Sequence, residues 1–130
     1  MPRYRRILII FLFVLFTLSA CAENANAPET IEKYLKAKVS GDEDKLVSLS
    51  CKSWEAQAIL EAAPFQSVNA EIRNIACQET GQDDTYKLVT CDGQLIIQYR
   101  GEEPREQSLS GVTYQVIKED GEWKMCGTKK

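Results

Sequence analysis

The chain has 130 residues, 16 Lys and Arg against 19 Asp and Glu for a formal net charge of −3, and no histidine. This length supports one domain with a modest core, and the acidic balance argues against a nucleic-acid partner, which would need a basic face. Without histidine there is no His-based triad, no His-ligated zinc and no histidine general base. Arg3, Arg5 and Arg6 lie in the first six residues, and Ile7 to Leu18 carry eleven apolar side chains in twelve positions. A basic start, about a dozen apolar residues and then small ones follow the plan of an export signal. A helix of that length rises only ~18 Å, short of the ~30 Å hydrocarbon core, so cleavage is expected rather than a span. Loss of residues 1–20 removes three arginines and no acid, which takes the net charge to −6 over 110 residues.

The segment ends Leu18-Ser19-Ala20-Cys21, which resembles the lipobox of bacterial lipoproteins at all four positions. The alternative is an ordinary secretory signal with a cysteine nearby. The resemblance implies that Cys21 receives a diacylglyceryl group and becomes the first residue after cleavage. The mature protein would then sit in the cell envelope, on the extracytoplasmic side of a bacterial membrane to which its lipid holds it. Each buried methylene contributes ~0.8 kcal/mol, and two or three acyl chains anchor stably where one does not. Ala22 stands where many Gram-negative lipoproteins of the inner membrane carry a retaining aspartate. Residues 21–27 read as a small, polar tether reaching up to ~20 Å, and 28–130 as a single domain.

Pro28 suits the first turn of a helix carrying Ile31, Tyr34, Leu35 and Val39 at helical spacing, and Gly41 stops it. Asp42-Glu43-Asp44 starts a second, short helix with acids at its positive end and Leu46, Val47 and Leu49 on its apolar side. Ser53 is placed to cap a third helix with Trp54, Ala58, Ile59 and Ala62, which Pro64 terminates. The period then falls to 2. Val68, Ala70 and Ile72 alternate, and Ile75 and Cys77 take the opposite parity, which a bulge near Arg73-Asn74 reconciles. Val89, Cys91, Leu95, Ile97 and Tyr99 share one parity in a long strand from Lys87 to Arg100, with Gly93 marking a bend. Glu102 to Glu106 is a charged turn. Val112, Tyr114 and Val116 alternate again, and Glu119-Asp120-Gly121-Glu122 turns into Trp123-Lys124-Met125-Cys126. Three helices followed by four antiparallel strands give an α+β architecture.

Beyond Cys21 four cysteines remain, Cys51, Cys77, Cys91 and Cys126, with spacings of 26, 14 and 35. An even number in an exported domain indicates disulfides, and the absence of C-x-x-C pairs speaks against a redox pair or a four-cysteine zinc site. Thr80-Gly81-Gln82-Asp83-Asp84 is a turn signal midway between Cys77 and Cys91, so a hairpin folded there sets those two opposite one another. That leaves Cys51 to meet Cys126.

The step Tyr34-Leu35…Ser40-Gly41-Asp42 and the final hairpin from Tyr114 to Met125 are similar to nuclear transport factor 2-like domains, which occur in small bacterial lipoproteins of unknown function. The resemblance spans most of residues 28–126 and implies N-terminal helices packed on a curved four-stranded antiparallel sheet, a cone whose open end holds a small ligand. Ketosteroid isomerase, a member of that superfamily, pairs an acidic base with a tyrosine. Here Asp92 has the parity opposite to Val89, Leu95, Ile97 and Tyr99, so its carboxylate is expected in solvent. Tyr34, Trp54, Tyr99 and Tyr114 are the candidate ligand-binding residues, with Trp123 beside them; aromatic residues at such positions more often simply form core. Asp42-Glu43-Asp44 lacks the Gly and Glu of a calcium loop at Val47 and Ser53, and no metal or cofactor is expected. The expected function is non-enzymatic binding, of a small apolar ligand or of an envelope protein. The alternatives are a carboxylate and tyrosine enzyme of the ketosteroid isomerase type, or a purely structural assembly protein.

Overall fold

A computed structural model describes residues 25–130, so the export signal over 1–20, the lipidation site Cys21 and most of the tether lie outside the described residues. Asn26 opens the first helix, α1 (Ala27–Ser40): its Oδ1 accepts from the Glu29 amide at 2.9 Å, and Pro28 sits in the first turn, where it has no hydrogen bond to lose. Ala27, the first residue of the helix, is only 2% exposed. Gly41 closes the helix in the left-handed region at φ 69°. Asp42 caps α2 (Glu43–Leu49) by accepting from the Lys45 amide at 3.0 Å. The third helix, α3 (Glu55–Ala62), starts differently from expectation. Trp54 takes the N-cap position without a side-chain bond, while Ser53 Oγ lies 3.2 Å from Cys51 Sγ instead. The α-helix ends at Ala62, just ahead of Pro64 as expected, and Pro64 then sits in the first turn of a 3₁₀ turn, Ala63–Ser67, where its missing amide costs nothing. No helix among the described residues is long and apolar enough to cross a membrane.

The strands are β1 (Asn69–Asp83), β2 (Tyr86–Gln98), β3 (Arg105–Ser108), β4 (Thr113–Glu119) and β5 (Glu122–Lys129). They form one antiparallel sheet in the order β1-β2-β4-β5, with β3 also paired to β2, so the sheet has five strands rather than four. The extra strand consists of Arg105, Glu106, Gln107 and Ser108, all exposed, and begins within the Glu102–Glu106 segment that reads in sequence as a charged turn. β2 is central. β1 lines one edge of it, and β3 and β4 share the other.

The expected turn at Thr80–Asp84 is shorter than its residues suggest: β1 continues through Asp83, which pairs with Tyr86, and only Asp84 and Thr85 turn the chain. Asp84 accepts the left-handed conformation there at φ 55°. The register slips between Arg73 and Ala76, where the change of parity requires it, with Asn74 at φ 53°. Gly93 faces that bulge at φ 134°, and a Cβ on it would meet Arg73 O at 3.0 Å and Asn74 O at 3.1 Å. Only glycine admits that approach.

α1 lies across the sheet, chiefly against β1. Ile31, Tyr34, Leu35 and Leu46 from the first two helices, with Ala58 and Ala62 from α3, meet Val89, Val116 and Met125 of the sheet in one core. Two disulfides close it: Cys77–Cys91 across the β1–β2 pair, and Cys51–Cys126 between the α2–α3 loop and β5.

Candidate functional site

A polar network lies between α1, α3 and the sheet. Tyr34 on α1 is fully buried, and Lys38 is one turn further along on the same side. Trp54 and Glu61 come from the two ends of α3; Glu61 lies one turn beyond Ala58 and next to Ala62, both fully buried, so its side chain starts on the packed side. Trp54 Nε1 donates to the Tyr34 hydroxyl at 3.1 Å. The Tyr34 hydroxyl donates in turn to Glu61 Oε2 at 3.2 Å, and Lys38 Nζ forms an ion pair with the same oxygen at 3.1 Å. Tyr114 on β4 completes the group, buried and close enough to Glu61 to feel its charge. No fully buried side-chain polar atom among the described residues lacks a partner.

The electrostatics follow from this arrangement. Burial, and secondarily the Glu61 carboxylate, push the Tyr114 hydroxyl up to about 12. The same two causes, in the same order, raise Tyr34 further. Both therefore stay protonated at neutral pH, and the Tyr34 hydroxyl keeps the proton it donates to Glu61. Glu61 is held by a hydroxyl and an ammonium group. Both contacts are made to Oε2, and through them the carboxylate ties α3 to α1.

Of the residues singled out in the sequence, Tyr34, Trp54 and Tyr114 are brought together and Tyr99 is not. Tyr99 follows the end of β2, 42% exposed, with the Arg105 guanidinium 5.5 Å from its ring centre. It borders a shallow hollow of about 560 Å³ with Gln66, Asn69, Gln98 and Arg100, outside the core. The core-facing parity holds past Gly93 as far as Leu95, which packs against the core, but β2 ends at Gln98 and Tyr99 lies beyond it. Asp92 is exposed. Trp123 packs on the edge of the core with Lys87 and Lys118 5.0 and 5.6 Å from its ring. Sequence reasoning missed Glu61 and Lys38. The available signal was spacing: Trp54, Ala58 and Glu61 fall on one helical face.

The described residues contain no cluster of three His, Cys, Asp or Glu side chains able to hold a metal ion. No protein-family profile matches the chain, and no curated protein does. Among solved structures, a SEC-C motif containing protein from Rhodopseudomonas palustris, determined in solution, is similar over 79% of this chain and 77% of that one, at 16% identity and a TM-score of 0.54. At that identity the likeness speaks for the fold alone, an α+β arrangement of three helices packed on an open five-stranded antiparallel sheet.

Proposed function

We propose that this chain is a lipid-anchored, extracytoplasmic, non-enzymatic domain of the nuclear transport factor 2-like type that binds another protein of the bacterial cell envelope. The observation that carries the non-enzymatic reading is the engagement of Glu61 by both Lys38 and Tyr34, at 3.1 and 3.2 Å. The acid nearest the buried tyrosines is thereby held in an ion pair, and Asp92 is exposed. A protein partner is favoured over a small apolar ligand because the side chains that would line a cavity, Ile31, Tyr34, Val89, Val116 and Met125, are buried against one another. Export and anchoring rest on the basic start, the apolar run and Leu18-Ser19-Ala20-Cys21. The two disulfides agree with an oxidising compartment.

The test is mass spectrometry of the full chain expressed in a bacterium and extracted from its membranes with mild detergent. The expected product starts at a diacylglyceryl-modified Cys21, is lighter by the four hydrogens of two disulfides, and carries no small molecule. Cys21→Ser is expected to leave the leader attached. An unmodified Cys21 in the wild-type product would end the anchor reading. A mass excess that disappears on denaturation would replace the protein partner with a small ligand.

A further inference from the structure

Besides the four-residue β3, which pairs only with β2, the sheet has two outer strands, β5 and β1, and they are finished differently. Along β5 the free edge is covered: the Cys51 amide donates to Met125 O at 2.8 Å, Ser50 bridges Met125, and Lys124 Nζ donates to Ser48 O at 2.6 Å. On β1, beyond the bulge, Glu32 of α1 covers the edge by accepting from the Cys77 amide at 3.2 Å. Among the described residues nothing pairs with the outer edge of β1 from Asn69 to Arg73. An unpaired edge of this kind is a template for another strand.

The direction of the backbone groups follows from the neighbouring strands. The Leu109 amide donates to Gly93 O on the β3 side. Alternate residues of an antiparallel strand send amide and carbonyl the same way, so Leu95 and Ile97 face β3 while Ile96 and Gln98 face β1. Their partners on β1 are Glu71 and Asn69, which bond inward to β2. The amides and carbonyls of Ala70 and Ile72 are left pointing out of the sheet. Glu71 and Arg73 flank Ile72 on the opposite face, exposed and ion-paired with each other.

We infer that a second copy of this chain pairs antiparallel with this edge, the two-fold axis passing between the Ile72 residues of the two subunits. In that register the two Ile72 residues exchange their amide and carbonyl bonds. Glu71 then lies directly opposite Arg73 of the partner subunit, and Arg73 opposite Glu71 of the partner subunit. Both are non-hydrogen-bonded positions, where facing side chains come closest. The segment Glu-Ile-Arg is self-complementary only about its centre. An axis at Glu71 sets two glutamates face to face, and one at Arg73 sets two arginines face to face, so charge selects the register.

The experiment uses the full chain in bacterial membranes, carrying Ile72→Cys and treated with a short bismaleimide. A crosslinked dimer is expected. Adding Arg73→Glu converts both attractive pairs to repulsive ones and is expected to lower the crosslinked fraction about tenfold. The double exchange Glu71→Arg with Arg73→Glu restores opposite charges and should recover the dimer to within about twofold. Circular dichroism checks that each variant folds, as the exposure of Glu71 and Arg73 and the half-buried position of Ile72 should allow. A chain that gives no crosslinked dimer overturns the inference. So does a dimer indifferent to Arg73→Glu, or one that the double exchange fails to restore.

Discussion

Tyr34 and Tyr114 keep their protons in the fold well past the pH at which a free tyrosine ionises, because an ionised phenolate would be buried beside the Glu61 carboxylate. The native state thus binds these protons more tightly than the unfolded chain does. The stability they confer is complete below pH 10 and is lost as pH rises through about 12 for Tyr114, and higher still for Tyr34. Urea midpoints measured from pH 9 to 12 should accordingly fall above pH 10, and Tyr114→Phe should flatten part of that fall. An unchanged midpoint across this range would show that the two hydroxyls are not buried as described. The three aromatic members of this network are legible in the sequence as apolar residues at core spacing, whereas Glu61 and Lys38 are not. A charged residue on a short helix reads as solvent-facing until the neighbouring helix supplies a counter-ion and a hydroxyl.

At the scale of elements, the helices and the order of strands can be read from periodicity and punctuation. Asn26, Asp42 and Gly41 act where residues of their kind act in general, at caps and stops. Two features escape. β3 has no apolar alternation, because Arg105 to Ser108 are exposed on both faces and owe their extended form to pairing with β2. The hairpin tip is misplaced because Gly81, Gln82 and Asp83 carry turn composition yet pair along β2. The bulge, by contrast, announces itself through the parity change at Arg73-Asn74. It also makes Gly93 irreplaceable, since a methyl group there would lie 3.0 Å from Arg73 O and would have to adopt φ 134°. Gly93→Ala should destabilise the domain by about 2 kcal/mol, read as a lower urea midpoint. Gly111→Ala, where a Cβ meets nothing within 4 Å, carries only the conformational part of that penalty and should cost less. Equal effects of the two substitutions would contradict the close approach at Gly93.

For the molecule as a whole, the disulfides join parts that the chain order separates. Cys77–Cys91 spans 14 residues within one hairpin, whereas Cys51–Cys126 spans 75 and ties the helical layer to the last strand. On the chain-entropy account, removing the short loop by paired Cys→Ala substitution should cost ~3 kcal/mol and removing the long one ~4 kcal/mol. Urea unfolding of the two double variants checks that order, and a hairpin bond worth more than the long one would reverse it. This pairing is legible because a turn signal between two cysteines sets them opposite each other, even though the turn itself lies further on. The long bond also decides how the molecule carries load. Tension applied between the N-terminal end and Lys130 passes along α1 and α2 to Cys51, crosses the sulfur atoms to Cys126 and leaves through the last few residues. Everything from Lys52 to Met125, α3 and nearly the whole sheet, hangs off that path as a covalent loop. While the bond lasts, pulling can straighten only some thirty of the described residues, about 100 Å of chain, and cannot stretch the sheet end to end.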